Sequence, residues 1–363
     1  MAETVRFHGC GDIRVEHMEE PRCGRGEVKV SRPLPFSNIA GVPMLTRGHL
    51  HEYLSGPVLI PKREHPITKE KPPVTMGHEF SGLIETVGDD VKGFARGQRA
   101  VVRPTIFDGQ CMACRQGYRH CCKNIGFIGL SGYGGGMAQY IVAPAGHYYL
   151  IPDNVSLETA ALVEPLAVAW HAVNRSPFKL GDSALVLGGG PVGIGVIQVL
   201  KLQGAKQIIV VELMERRKKL GEYYGATHTY DPREVNIPEE VHKITENKGA
   251  DVIFDTAGVE NALNGVIPAC RVHGTIVNIA VWENKPALNV NVITYKEINY
   301  MGAALYDEVS FKNVIEALSH GQLNPERMIT AKIKLSEAVD KGFQELIDHR
   351  DQHCKLLIDV QRT

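Results

Sequence analysis

The chain of 363 residues sets 40 Lys+Arg against 41 Asp+Glu for a formal net charge of −1, so it lacks the basic excess that attracts nucleic acid or an anionic membrane. No apolar run approaches the roughly 18 residues of a membrane span, and Met1-Ala2-Glu3-Thr4-Val5-Arg6 lacks the apolar core of a signal peptide. A cytoplasmic protein acting on a small molecule, with no nucleic-acid or membrane partner, is therefore expected, and the length suits two domains of about 100–200 residues each.

Residues 1–155 read as short β segments broken by Gly and Pro, among them 27–30, 82–88 and 99–102, and predict a β-rich domain. Within it the stretch 31–45 holds Pro33, Pro35 and Pro43, which argue against a regular central strand. His78 and Glu79 follow Gly77, between the Pro72-Pro73 turn and the strand expected near Gly82. Together with Glu164, far along the chain, they are candidate ligands of a catalytic metal. Catalytic zinc takes three protein ligands and keeps one position open, from which it polarises an alcohol or carbonyl oxygen.

Four of the eight cysteines crowd into Cys111-Met112-Ala113-Cys114 and Cys121-Cys122. Without a secretion signal this crowding points to metal rather than disulfides. The spacing from Cys111 and Cys114 to Cys122 is that of a structural zinc lobe over 108–122. Asp108 stands three residues before Cys111 and can supply the fourth ligand, while Cys121 competes for the place of Cys122. The favoured set is Asp108, Cys111, Cys114 and Cys122.

A helical pattern over 157–173, with a kink expected at Pro165, marks the junction to a second domain over 156–300. There strands at 183–187, 207–212, 251–255 and 274–279 alternate with helices at 191–203, 215–223 and 260–268. That alternation predicts a doubly wound parallel sheet. Its first turn, Leu187-Gly188-Gly189-Gly190-Pro191-Val192-Gly193, has the form of a dinucleotide grip. Gly188 permits the turn, Gly190 lets backbone approach a pyrophosphate, Val192 opens the helix, and Gly193 lets helix and strand pack closely. Glu212 ends the second strand about 20 residues on, where a ribose-binding carboxylate is needed, and it favours NAD because the 2′-phosphate of NADP would meet like charge. Arg217 is placed to cover the adenosine. The partly alternating run 287–293 is expected as an extended edge that pairs with its mate in a homodimer, or within a homotetramer. Beyond residue 300 a mixed pattern, with helices near 310–319 and 336–348 and a closing strand at 355–359, returns to the first domain over 301–363.

The run Leu50-His51-Glu52-Tyr53-Leu54-Ser55-Gly56-Pro57, the long loop 61–73, Gly77-His78-Glu79-Phe80-Ser81-Gly82 and the glycine-rich 129–136 together resemble the zinc-dependent medium-chain alcohol/polyol dehydrogenases. The resemblance covers nearly the whole chain and is strongest to the (R,R)-butanediol dehydrogenase branch. It implies an α/β protein in which a GroES-like β-rich catalytic domain is joined to a Rossmann-type dinucleotide-binding domain. It further implies His78 and Glu79 on a catalytic zinc, Glu164 as a swinging extra ligand, His51 in the proton-relay position, and NAD-dependent exchange of a secondary alcohol or vicinal diol with its ketone, as in butanediol and acetoin.

The family places a Cys-Gly-Ser/Thr-Asp run immediately before its Leu-His-Glu-Tyr motif, where this chain reads Thr46-Arg47-Gly48-His49. The zinc thiolate and the relay hydroxyl are both absent, and the preceding segment is longer than the family's strand. Three readings stay open: a shell rebuilt from His78, Glu79, Glu164 and one of His49 or His51; a site that holds zinc poorly because Thr46 cannot replace a thiolate; or a misassembled piece of coding sequence at 31–49. The alternatives to a working zinc oxidoreductase are a dinucleotide-binding protein of this fold with impaired or no catalysis, and a zinc-free reductase.

Overall fold

The computed structural model describes residues 1–31, 42–45, 47–349 and 351–360. Thr46 and 32–41 lie outside the described residues. The chain forms two compact units, Met1–Glu164 with Pro325–Thr363, and Pro165–Asn324. The crossings differ from the expected 155/156 and 300/301. The second is later because Asn299–Gly302 pairs in parallel with Cys270–Asn278, which keeps that stretch in the dinucleotide unit.

In the first unit one sheet runs, strand by strand, Tyr140–Pro144, Glu27–Ser31, Phe80–Val87, Val42–Leu45, Lys355–Asp359, Ile329–Lys334, with Arg99–Val102 and Tyr148–Leu150 branching from Phe80–Val87. Val28, Val30, Ile84, Ala100, Val102 and Ile141 project from it into one apolar core, the alternation that a sheet with one buried face requires. Val42–Leu45 corrects the reading that 31–45 forms no central strand. It is only four residues long and pairs over two positions on each side. That is short enough for Met44 N–H to reach the Glu79 carbonyl at 2.9 Å although Pro43 donates nothing.

The second unit is a six-stranded parallel sheet in the order His228–Tyr230, Gln207–Val211, Ser183–Leu187, Ala250–Asp255, Cys270–Asn278, Asn299–Gly302. Numbered along the chain this is 3-2-1-4-5-6, the dinucleotide-binding order with its switch point beside the first strand. The expected strands and helices are present, with the strands His228–Tyr230 and Asn299–Gly302 and the helix Ile237–Ile244 in addition.

Two local expectations fail for identifiable reasons. Pro165 kinks nothing, because the helical stretch is two pieces, Leu157–Ala160 and Val163–Arg175, and Pro165 falls in the first turn of the second, where its missing N–H has no helical partner to lose. The run 287–293 is no edge strand, since Val290–Tyr295 is helical. Leu288 and Val292, four apart, pack with Ile293 on the core. Among the described residues no helix is long and apolar enough to cross a membrane.

Candidate metal and dinucleotide sites

The turn after Ser183–Leu187 is shaped by two glycines. Gly188 has φ +98, a region open to glycine at little cost, and a Cβ on Gly193 would sit 2.0 Å from the Gly188 carbonyl oxygen. Gly190 caps the helix Pro191–Leu202, and a Cβ added to it would meet nothing within 4 Å. Gly190 thus leaves open space at the N-terminus of that helix, as an anion-binding helix start requires.

Glu212 is buried at the end of Gln207–Val211. Its Oε2 accepts from Gly189 N at 2.7 Å, and its Oε1 accepts from Leu213 N at 2.7 Å and Met214 N at 3.0 Å. A carboxylate has about four acceptor positions, so three backbone donors fix the group and still leave capacity for a hydroxyl. Arg217 Nη1 stands 3.9 Å from Glu212 Oε2.

Asp108, Cys111, Cys114 and Cys122 place one ligand atom each within 4.8 Å of one another. Cys111 Sγ and Cys122 Sγ are 3.9 Å apart, close to the ~3.8 Å between sulfurs on a tetrahedral zinc with Zn–S of ~2.3 Å. Backbone amides prepare the anions: Cys122 Sγ accepts from Asp108 N and Asn124 N, both at 3.4 Å, and Asp108 Oδ1 accepts from Gln110 N at 2.8 Å and Cys111 N at 2.9 Å. Those amides hold the Asp108 carboxyl well below the usual carboxylate range. Burial pushes the Cys114 thiol up to about 12, so metal binding there must displace its proton. Cys121 is exposed and outside the group.

The second group is His78, Glu79 and Glu164, whose ligand atoms also fall within 4.8 Å of one another. The glycine-rich 129–136 presses on the turn that carries His78 and Glu79, since a Cβ on Gly129 would lie 2.0 Å from the Gly77 carbonyl oxygen. Glu164 is buried in the first turn of Val163–Arg175. Both oxygens of Glu79 accept from Lys355 Nζ, at 2.7 and 2.5 Å, and the two side chains are 4 % and 2 % exposed. Burial pushes the Glu79 carboxyl up and the Lys355 ammonium pulls it back. The same burial, with Lys355 nearby, lowers His78 to about 3, so its ring is neutral, the form that ligates metal.

His49 lies fully buried on the helix Arg47–Ser55, its Nε2 3.0 Å from His78 Nδ1. His51, two positions on, is half-buried and outside the group of three. Sequence reasoning missed Lys355. Its signal was a single cation opening an otherwise apolar closing strand, Lys355-Leu356-Leu357-Ile358.

The zinc-binding dehydrogenase family matches residues 191–320, and the alcohol dehydrogenase GroES-like domain matches 57–153. The chain is 36% identical over 360 residues to a (R,R)-butanediol dehydrogenase of Neisseria gonorrhoeae, covering 98% of this chain and 99% of that one. The crystal structure of 2R,3R-butanediol dehydrogenase from Bacillus subtilis superposes with a TM-score of 0.90 at 35% identity over 99% of both chains. A zinc-binding dehydrogenase of Sinorhizobium meliloti bound to NADP gives a TM-score of 0.85 at 27% identity, again over 99% of each.

The buried pair generates a test of its own. In Lys355→Met the Glu79 carboxylate is left buried without its partner, and the metal-free chain should lose about 3–5 kcal/mol of stability. Adding Glu79→Gln should recover much of the loss. Denaturant unfolding of the two variants against the parent measures both effects.

Proposed function

Since the chain belongs to the zinc-binding, GroES-like alcohol dehydrogenase family, we propose that it is an NAD-dependent, zinc-assisted oxidoreductase. It interconverts a secondary alcohol or vicinal diol of the butanediol type and the matching ketone. The observation that carries the reading is the convergence of His78, Glu79 and Glu164 within 4.8 Å. Bound zinc would supply a Lewis acid that makes a substrate hydroxyl more acidic, and bound NAD a hydride acceptor. The substrate class follows the relatives named for butanediol.

The chain's own part is to hold, orient and move a proton. His78 presents a neutral imidazole, Glu164 a buried carboxylate, and Glu79 a carboxylate whose position Lys355 sets. Gly48 has no hydroxyl, so the proton leaving substrate must pass through water toward His51, whose imidazole can accept it. Asp108, Cys111, Cys114 and Cys122 would hold a second, structural zinc that braces a loop with little core of its own. Glu212 would take the ribose hydroxyls of NAD, with Arg217 over the adenosine. All eight cysteines are free, which suits the reducing cytoplasm. Asn299–Gly302, at the end of the parallel sheet, offers an edge for a homodimer or homotetramer. The donor set counts against a zinc-free reductase, and nothing observed favours a non-catalytic protein.

The test is made on the purified full-length chain. Mass spectrometry of the metal content should find two zincs per chain, and the protein should oxidise (R,R)-2,3-butanediol with NAD and reduce acetoin with NADH. Two zincs without NAD-linked turnover across a panel of diols and secondary alcohols would overturn the reading. For the cofactor, Glu212→Ala removes an ionised acceptor worth about 1.5–3 kcal/mol, so NAD affinity should fall about 10–100-fold while relative use of NADP rises. An unchanged ratio of the two cofactors would remove Glu212 from the ribose site.

A further inference from the structure

The two ring nitrogens of His78 face different partners. Nε2 lies 3.9 Å from Glu79 Oε1, and both residues belong to the group whose ligand atoms fall within 4.8 Å of one another. Nδ1 lies 3.0 Å from His49 Nε2, a hydrogen bond. The His49 ring is fully buried, its centroid 4.5 Å from that of His78 with the planes tilted by 54°.

A nitrogen cannot donate or accept this hydrogen bond and ligate metal through the same site. If both facing nitrogens turned their lone pairs to an ion, His78 Nε2, the atom beside the Glu79 oxygen, would point away from the metal. With Nε2 of His78 left to ligate a metal, one arrangement keeps the hydrogen bond: the proton sits on Nδ1 of His78 and is donated to Nε2 of His49.

We propose that His49 is a positioning residue of the metal site. It is not a ligand replacing the missing thiolate; it is the acceptor that fixes His78 as the Nδ1–H tautomer and sets its ring angle. The proposal rests on the zinc reading of His78, Glu79 and Glu164. An acceptor on the far nitrogen of a ligating histidine fixes its tautomer and raises its basicity, and losing such a partner costs about 10–100-fold in metal affinity. Solvent cannot replace a ring that is fully buried.

The experiment uses the full-length chain labelled with 15N-histidine. Long-range proton–nitrogen correlation spectra of the metal-free protein, with His78 assigned by the loss of its signals in His78→Gln, should show Nδ1 protonated and Nε2 bare. Zinc titrated against a competing chelator should bind the second, non-knuckle site of His49→Phe about 10–100-fold more weakly than the parent. His49→Gln, whose amide oxygen can accept the same proton, should recover most of that loss. Unchanged knuckle occupancy and NAD binding would show that the variants fold.

An Nε2–H tautomer in the metal-free protein overturns the proposal. So does a second zinc held equally well by His49→Phe, or a His49→Gln variant as weak as His49→Phe, the result expected of a direct ligand. A parent chain that takes up no second zinc sinks the proposed function and this proposal together. Full second-site affinity in His49→Phe sinks this proposal alone.

Discussion

The Lys355 ammonium seated on both oxygens of Glu79 ties together residues 276 positions apart in the chain. Neither charge is stable alone at such burial, because desolvation costs each several kcal/mol and only the partner offsets it. The contact therefore acts on register as well as on charge. A one-residue slip of Lys355–Asp359 would turn Lys355 to the opposite face of the sheet and leave both ions unpaired. The same Glu79 accepts Met44 N–H through its backbone carbonyl, which seats the short strand Val42–Leu45 between Phe80–Val87 and Lys355–Asp359. The return of the C-terminal segment, the completion of the sheet and the placement of a metal-ligand candidate are thus one structural event.

That pair also sets the charge of the site. Lys355 offsets the charge of Glu79, and Glu164 stands in ligand reach of Glu79 and the neutral His78 ring. Such a donor set is made of nitrogen and oxygen and is harder than one with a thiolate. The knuckle at 108–122 has the opposite character, with three sulfurs and one carboxylate in reach of a single ion. Within one chain the two groups differ in softness, charge and support, so the loss of a thiolate at one says nothing of the other.

The parts of this molecule that were legible in the sequence are those whose causes are local. Glycine spacing, the switch from short alternating strands to longer apolar ones, and the clustering of cysteines each placed an element or a loop close to where it lies. Where local pattern misled, the run was too short to decide its period: 287–293 alternates in part like a strand, yet the chain turns helical at Val290, and Val292 and Ile293 pack partly buried on the core. His228–Tyr230 is too short to carry a period at all, and Ile237–Ile244 was not expected although the Asn236 cap and a proline in its first turn are a helix-start signal. Lys355 could not be assigned from its neighbours, since its partner is set by the fold of the whole first unit.

The same division separates the two kinds of site. Glu212, Asp108 and Cys122 are anionic groups or thiols held by backbone N–H donors, from the knuckle itself for Asp108 and Cys122 and from its own loop and the neighbouring glycine turn for Glu212. Their orientation follows from the backbone of one or two neighbouring loops, so motifs of about 15–25 residues specify them. His78 and Glu79 are held by side chains delivered from other segments, His49 from the helix Arg47–Ser55 and Lys355 from the closing strand. A site supported in this way depends on tertiary packing for its geometry. For the same reason it can absorb a changed segment before the helix, provided that one buried acceptor still meets His78 Nδ1. What the altered segment at 31–49 puts at risk is the aim of the first imidazole, while the dinucleotide grip and the knuckle, held by backbone donors outside that segment, do not depend on it.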